Sequence, residues 1–226
     1  MEKISTTNTT AIDALCQRFK EKHDPQNKGH KDLQVKLNDL AAQLQAVEFT
    51  RKNPQGSDHG LTVQRAAARL KLLAEEGAKA ITAKSKEAEI SFERSLREHS
   101  GLTNGPYAVE IRQRLNEMKP GERVKVVQAM ITAKDGSSLA AIFDAPPFLT
   151  GLAPKDTSKF REQFFQSTAP DIVKARDVYR ELSEHVNAAI RTALNVASEL
   201  SDPRKLRELE LREAEASRAE SALKGA

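Results

Sequence analysis

Between Pro170 and Leu200 an apolar residue recurs at alternating spacings of three and four: Ile172, Ala175, Tyr179, Leu182, Val186, Ala189, Ala193, Val196 and Leu200. That period aligns them in one stripe along an α-helix, whereas a strand would scatter them over both faces. About 31 residues at ~1.5 Å rise give a rod of roughly 45 Å, longer than a small domain needs. Pro170 opens the segment, and Ser201-Asp202-Pro203 resets its phase with a capping residue followed by Pro. A stripe this long has to be covered by other helices.

Two further segments carry the same signature. Leu33, Leu37, Leu40, Leu44 and Val47 form a heptad seam over 31–52, stopped by the breakers Asn53-Pro54-Gln55-Gly56-Ser57. Over 61–99 the seam is Val63, Ala67, Leu70, Ala74, Gly77, Ile81 and Ala88, with Leu73 and Ile90 beside it and Ser100-Gly101 closing the helix. Small side chains let helix backbones approach but bury little area each, so this helix needs a partner. The pair is expected to form an αα-hairpin. Composition agrees: hydrophobic residues make up 38%, aromatics 4%, charged residues 30%, and Trp is absent. Such a chain favours helices that each bury one narrow stripe.

The remaining segments are shorter. Ser5 to Thr10 reads as a flexible tail ending in an N-cap, and Ile12, Leu15, Cys16 and Phe19 mark a short helix that fails near His23-Asp24-Pro25, before a polar loop over 24–30. After Asn104-Gly105-Pro106, Ile111, Leu115 and Met118 mark a helix broken by Lys119-Pro120-Gly121. Val124, Val127, Met130 and Ile131 mark the next. A strand over Val124-Lys125-Val126-Val127 is the weaker reading, because apolar positions continue at helical spacing to Ala133. Ser137-Ser138 reads as an N-cap, and Phe143, Phe148, Phe160, Phe164 and Phe165 are expected to fill a core. The last segment, 203–222, is helical by propensity but nearly all charged, with Leu206, Leu209 and Leu211 as its strong apolar residues.

The expected fold is therefore all-α, an elongated bundle of coiled-coil-like helices with a small compact helical subdomain in the middle. Four segments follow: a tail with a short helix over 1–30, the αα-hairpin over 31–100, the subdomain over 101–168, and a long helix plus charged helix over 169–226.

Catalytic signatures do not emerge. The sequence carries no Gly-rich phosphate loop, no His-Glu-x-x-His helix, no Gly-x-Ser-x-Gly elbow and no calcium-loop pattern. The five histidines never pair at spacings of three or four and read as ordinary surface residues. One cysteine, Cys16, excludes an internal disulfide or a Cys-based zinc site and reads as a small buried hydrophobe. No catalytic residue, cofactor or metal is expected, and the protein is read as non-enzymatic. A polar start and the lack of a run of ~18 apolar residues point to a cytoplasmic chain without a membrane span.

Two interaction readings remain. In the first, Leu37, Leu44, Leu70, Ile81, Tyr179, Leu182, Val186 and Val196 are seam positions through which helices associate with copies of the chain or with other structural proteins. In the second, Arg112, Arg114, Arg123 and Lys125 around Pro120-Gly121 contact nucleic-acid phosphates. The net charge of +4 from 36 basic and 32 acidic residues is small, and the basic groups sit among Glu110, Glu117 and Glu122, so the second reading is the alternative.

The most distinctive local feature is the bend over 139–152, where Pro146-Pro147 is flanked by apolar residues. It is either a rigid packed corner or an exposed hook for a neighbouring subunit. The run Ala140-Ala141-Ile142-Phe143-Asp144-Ala145-Pro146-Pro147-Phe148-Leu149-Thr150-Gly151-Leu152 resembles a stretch in uncharacterised tailed-bacteriophage and prophage proteins. The resemblance implies a virion or assembly role.

Overall fold

The computed structural model describes residues 5–53 and 59–201, together with single positions at 204, 207, 211, 215 and 218. In the described residues the chain is all-α, in the order α1 (Ser5–Lys22), α2 (Lys28–Lys52), α3 (His59–His99), α4 (Ala108–Glu117), α5 (Pro120–Thr132), α6 (Gly136–Phe143), α7 (Pro147–Thr150), α8 (Pro154–Thr168) and α9 (Pro170–Leu200). None of these helices is long and apolar enough to cross a membrane.

The chain divides into two compact units: one runs up to Ser85 and resumes at Tyr179, the other is Lys86–Val178. Both divisions fall inside helices, α3 and α9, rather than at the loops where the sequence suggests boundaries. The reason lies in the seams. Each long helix changes the set of neighbours it packs against part-way along its length, and an uninterrupted hydrogen-bond ladder carries no sequence mark of that change.

In the first unit, Leu33, Leu37, Leu40, Leu44 and Val47 of α2 are all buried, as are Ala67, Leu70, Ala74 and Ile81 of α3 and Leu182, Val186, Ala189 and Ala193 of α9. Each large side chain of this set stabilises the fold by about 1.5–3 kcal/mol relative to exposure. Gly77 faces Ile190, whose Cδ1 lies 3.7 Å from where a Cβ would stand. The small-residue stretch of α3 thus receives a bulky residue of α9. Surface ion pairs Lys22–Glu181 and Lys84–Asp32 tie α1 to α9 and α3 to α2. Helix α1 begins at Ser5, so the Thr-rich stretch is helical backbone rather than the expected flexible tail. The breakers 54–57 and the reset at 202–203 lie outside the described residues, as do Leu206 and Leu209; Leu211 is exposed.

The second unit builds its core from Leu96, Leu115, Val127, Leu139, Ile142, Phe143, Phe160, Phe164, Phe165 and Val173. Helix α3 ends in a Schellman turn: Gly101 has φ +63 and the Leu102 N–H reaches Arg97 O at 3.0 Å. Gly136, at the start of α6, sits against this turn so closely that a Cβ would lie 2.5 Å from Ser100 O. Helix α5 starts at Pro120, which settles the Val124–Val127 segment as helix. Asp135, not Ser137 or Ser138, caps α6: its Oδ1 accepts the Ser138 N–H at 3.0 Å. Phe148 does not join the core. It is 75% exposed.

Candidate interaction site

The bend between α6 and α8 is held rigid from several sides, and it presents its apolar residues outward. Leu139 to Phe143 of α6 are buried and anchor its near end, while Leu152 is 5% exposed and anchors the far end. Pro147 occupies the first turn of α7, where its missing N–H costs nothing. Gly151 then ends α7 at φ +65, with its N–H donated to Pro147 O at 2.8 Å. Only glycine adopts that backbone without strain. Between these anchors Phe148 and Leu149 are exposed and Thr150 is buried. The corner is thus anchored at both ends while Pro146 to Leu149 lie at the surface, with its largest side chain, Phe148, left in solvent.

Arg123 of α5 completes the clamp. Its Nε donates to Leu115 O at 2.9 Å, Nη2 to Asn116 O at 2.7 Å and Nη1 to Gly151 O at 2.6 Å. One guanidinium thus satisfies carbonyls at the end of α4 and at the end of α7, where helices leave them unpaired. The donors of Arg123, expected to contact phosphate, are thus spent on the fold. Arg112 is half-buried and reaches Ala141 O at 3.4 Å. Arg114 and Lys125 are exposed. The four basic residues do not form one free phosphate-binding surface.

Beside the corner lies a cavity of about 350 Å3, lined by Pro147, Pro154, Phe143, Phe165, Arg161 and Glu162 among others. Its charges are internally compensated. Arg161 donates through Nη2 to Phe143 O at 2.8 Å and through Nη1 to Glu93 at 3.4 Å, with its guanidinium 5.6 Å over the Phe143 ring. Arg176, 6% exposed, makes paired hydrogen bonds to Glu162 at 3.0 and 2.7 Å and a further one to Asp177 at 3.0 Å. Arg97 grips Asp144 through two bonds of 2.7 Å, and that hydrogen bonding holds the Asp144 carboxyl below the usual carboxylate range against the opposing effect of burial. A charged ligand entering this cavity, whose lining also includes Thr157 and Ser158, would have to displace an existing ion pair.

Arg176 also corrects the seam of α9. The three/four repeat places Ala175 inward, but Ala175 is exposed and Arg176 is buried. Within the second unit the helix turns its 173/176 face to α8, and bidentate pairing with Glu162 makes the buried charge tolerable. No periodicity in apolar residues could have revealed it.

The eight expected seam positions all lie in the first unit and are buried within the single chain: Leu37, Leu44, Leu70, Ile81, Leu182 and Val186 at 0–1% exposure, Val196 at 5% and Tyr179 at 8%. They form an intramolecular core, not a surface presented to a partner. Cys16 is half-buried rather than fully buried, and burial pushes its thiol pKa up. His30 is buried, in contrast to the expected surface histidine. Among the described residues, no group of three or more His, Cys, Asp or Glu could hold a metal ion.

No protein-family model, no curated protein and no solved structure matches the chain.

Proposed function

We propose that this is a non-enzymatic structural or assembly protein that engages copies of itself or other structural proteins through the corner at 146–149. The observation that carries the reading is Phe148, 75% exposed beside Leu149 on a backbone fixed by Pro147, Gly151 and Arg123. An apolar anchor held in place in advance loses little entropy on docking, which is the usual character of an interface hot spot. The resemblance of 140–152 to tailed-bacteriophage proteins supports a virion or morphogenesis setting for a protein made in the cytoplasm.

Light scattering on a sizing column, run over a range of concentrations, tests the reading. Phe148→Asp should leave thermal stability within about 0.5 kcal/mol, because the side chain is mostly in solvent, and should dissociate any oligomer. In parallel, a photo-crosslinking amino acid at position 148 should join discrete neighbours in the assembled state, while one at exposed Gln128 should not. A monomeric protein without crosslinks at 148 would sink the proposal.

A further inference from the structure

The turn joining α1 to α2 is built around two histidines. His30 is 5% exposed, and its Nδ1 accepts the Asp24 N–H at 3.1 Å. An acceptor at Nδ1 places the ring proton of the neutral imidazole on Nε2. The His30 ring stacks on Tyr179 of α9 with centroids 6.3 Å apart and lies 6.4 Å from His23, which in turn lies 5.7 Å from Phe19. His23 Nε2 is buried with no hydrogen-bond partner. Asn27 Oδ1 caps α2 by accepting the His30 N–H at 3.2 Å, so the same residue closes the turn through both its backbone and its ring.

We propose that this junction is an acid-sensitive latch, in which protonation of His30 opens the turn and frees α1 from the first unit. Protonated Nδ1 is a donor, so it faces the Asp24 N–H donor to donor and that bond is lost. The surrounding charges do little to offset this. Asp24 is the acidic group of the turn, Lys22 at the end of α1 is already paired with Glu181 of α9, and His185 lies near Glu181 on the same helix. Tyr179 contributes a ring face. Release would uncover Ile12 and Phe19, each 1% exposed.

The sign follows from the surroundings. Burial, and then His23, lower the His30 pKa, with Asp24 acting in the opposite sense. The open form therefore binds the proton more readily than the closed form. The latch is at full strength above the ordinary imidazole value of about 6.5. It weakens as pH falls below that value and levels off below the depressed one, by roughly tenfold for each unit of separation.

Hydrogen exchange of α1 amides, corrected for intrinsic rates, should show several-fold faster opening at about pH 5 than at about pH 8, the span over which histidine changes charge. Amides of α5 and α8 serve as the internal reference. His30→Gln, which can still accept the Asp24 N–H but does not titrate, should abolish the difference. Should that variant fail to fold, nuclear magnetic resonance titration of the wild-type His30 ring decides, with titration expected below the ordinary value from an Nε2-protonated tautomer. Unchanged α1 protection between the two pH values overturns the latch. So does pH dependence that survives in His30→Gln, or a His30 ring titrating at or above the ordinary value.

Discussion

Replacing Arg123 separates a structural guanidinium from a phosphate-binding one, because the two roles respond differently to lysine. The side chain is half-buried and makes three hydrogen bonds to main-chain carbonyls, at 2.9, 2.7 and 2.6 Å. A hydrogen bond from a charged donor contributes about 1.5–3 kcal/mol when desolvated. Two of these three lie at exposed positions, where water replaces much of what is lost. Arg123→Ala should therefore cost about 2–4 kcal/mol rather than the full sum. For a chain of this size each kcal/mol corresponds to roughly 2–4 °C in melting temperature. Arg123→Lys should cost nearly as much, since one ammonium cannot span carbonyls at the ends of two helices.

The assay is urea denaturation followed by circular dichroism, with hydrogen exchange at the last turn of α4 and at α7 to localise the loss. Gly151→Ala gives a second arm. Its φ of +65 costs a side-chain-bearing residue about 1 kcal/mol or more, and the new Cβ would collide with Arg123 Nη1. The collision vanishes in an Arg123→Ala background, so the two substitutions should couple by at least ~0.5 kcal/mol. A lysine variant as stable as wild type would refute the clamp. So would additivity within error, and either result would return Arg123 to the phosphate-contact reading.

Leu182→Ala, at a fully buried position of the first unit, should cost about 2–5 kcal/mol and lower helix content without changing the solution mass; a stable variant with altered mass would place this seam between chains. Lys134 has φ 55 at the end of α5, where the Asp135 N–H reaches back to Met130 O at 3.0 Å, so Lys134→Gly should raise stability by up to about 1 kcal/mol in thermal melts. The Asp144 carboxyl, depressed by its hydrogen bonds to Arg97, contributes stability that is complete above the ordinary carboxylate value of about 3.9 and is lost as pH falls through the depressed one. Asp144→Asn should accordingly flatten the acid limb of the stability–pH curve, and an unchanged limb would assign that limb to other carboxylates.

The long helices were legible because their apolar period outweighs everything else in their sequence. Leu33 to Val47 and Leu182 to Val196 could be placed on buried faces from spacing alone, and both are buried. The corner was legible as a feature, through Pro146-Pro147, but not in its orientation. Phe148 is apolar and lies in an apolar run, so pattern assigns it to the core, whereas the structure leaves it and Leu149 in solvent. Polar anchoring was the least legible. Arg123 reaches back to Leu115 and Asn116 and forward to Gly151, and a charged residue beside a Pro-Gly turn gives no sign of whether its donors meet carbonyls or solvent. His23 follows the end of α1 and His30 sits in the first turn of α2, so their pairing across the connection leaves no trace in helical spacing.

The closure of the seams within one chain narrows where a partner can bind. A heptad stripe specifies that something must cover it, and an intramolecular neighbour satisfies that demand at far higher effective concentration than a free subunit. Helix α3 illustrates this at Gly77, which faces Ile190 of α9 within the same unit. With Leu70, Ile81, Leu182 and Val186 already covered, opening the first unit to expose them would forfeit about 1.5–3 kcal/mol at each site before any association could begin. An exposed side chain carries no such penalty. Phe148 is in that position, since docking would remove apolar surface from water without breaking any contact that the folded chain has made. The corner of the second unit therefore holds the apolar surface that the proposed assembly role requires, while the buried seams hold the first unit together in a chain poor in aromatics.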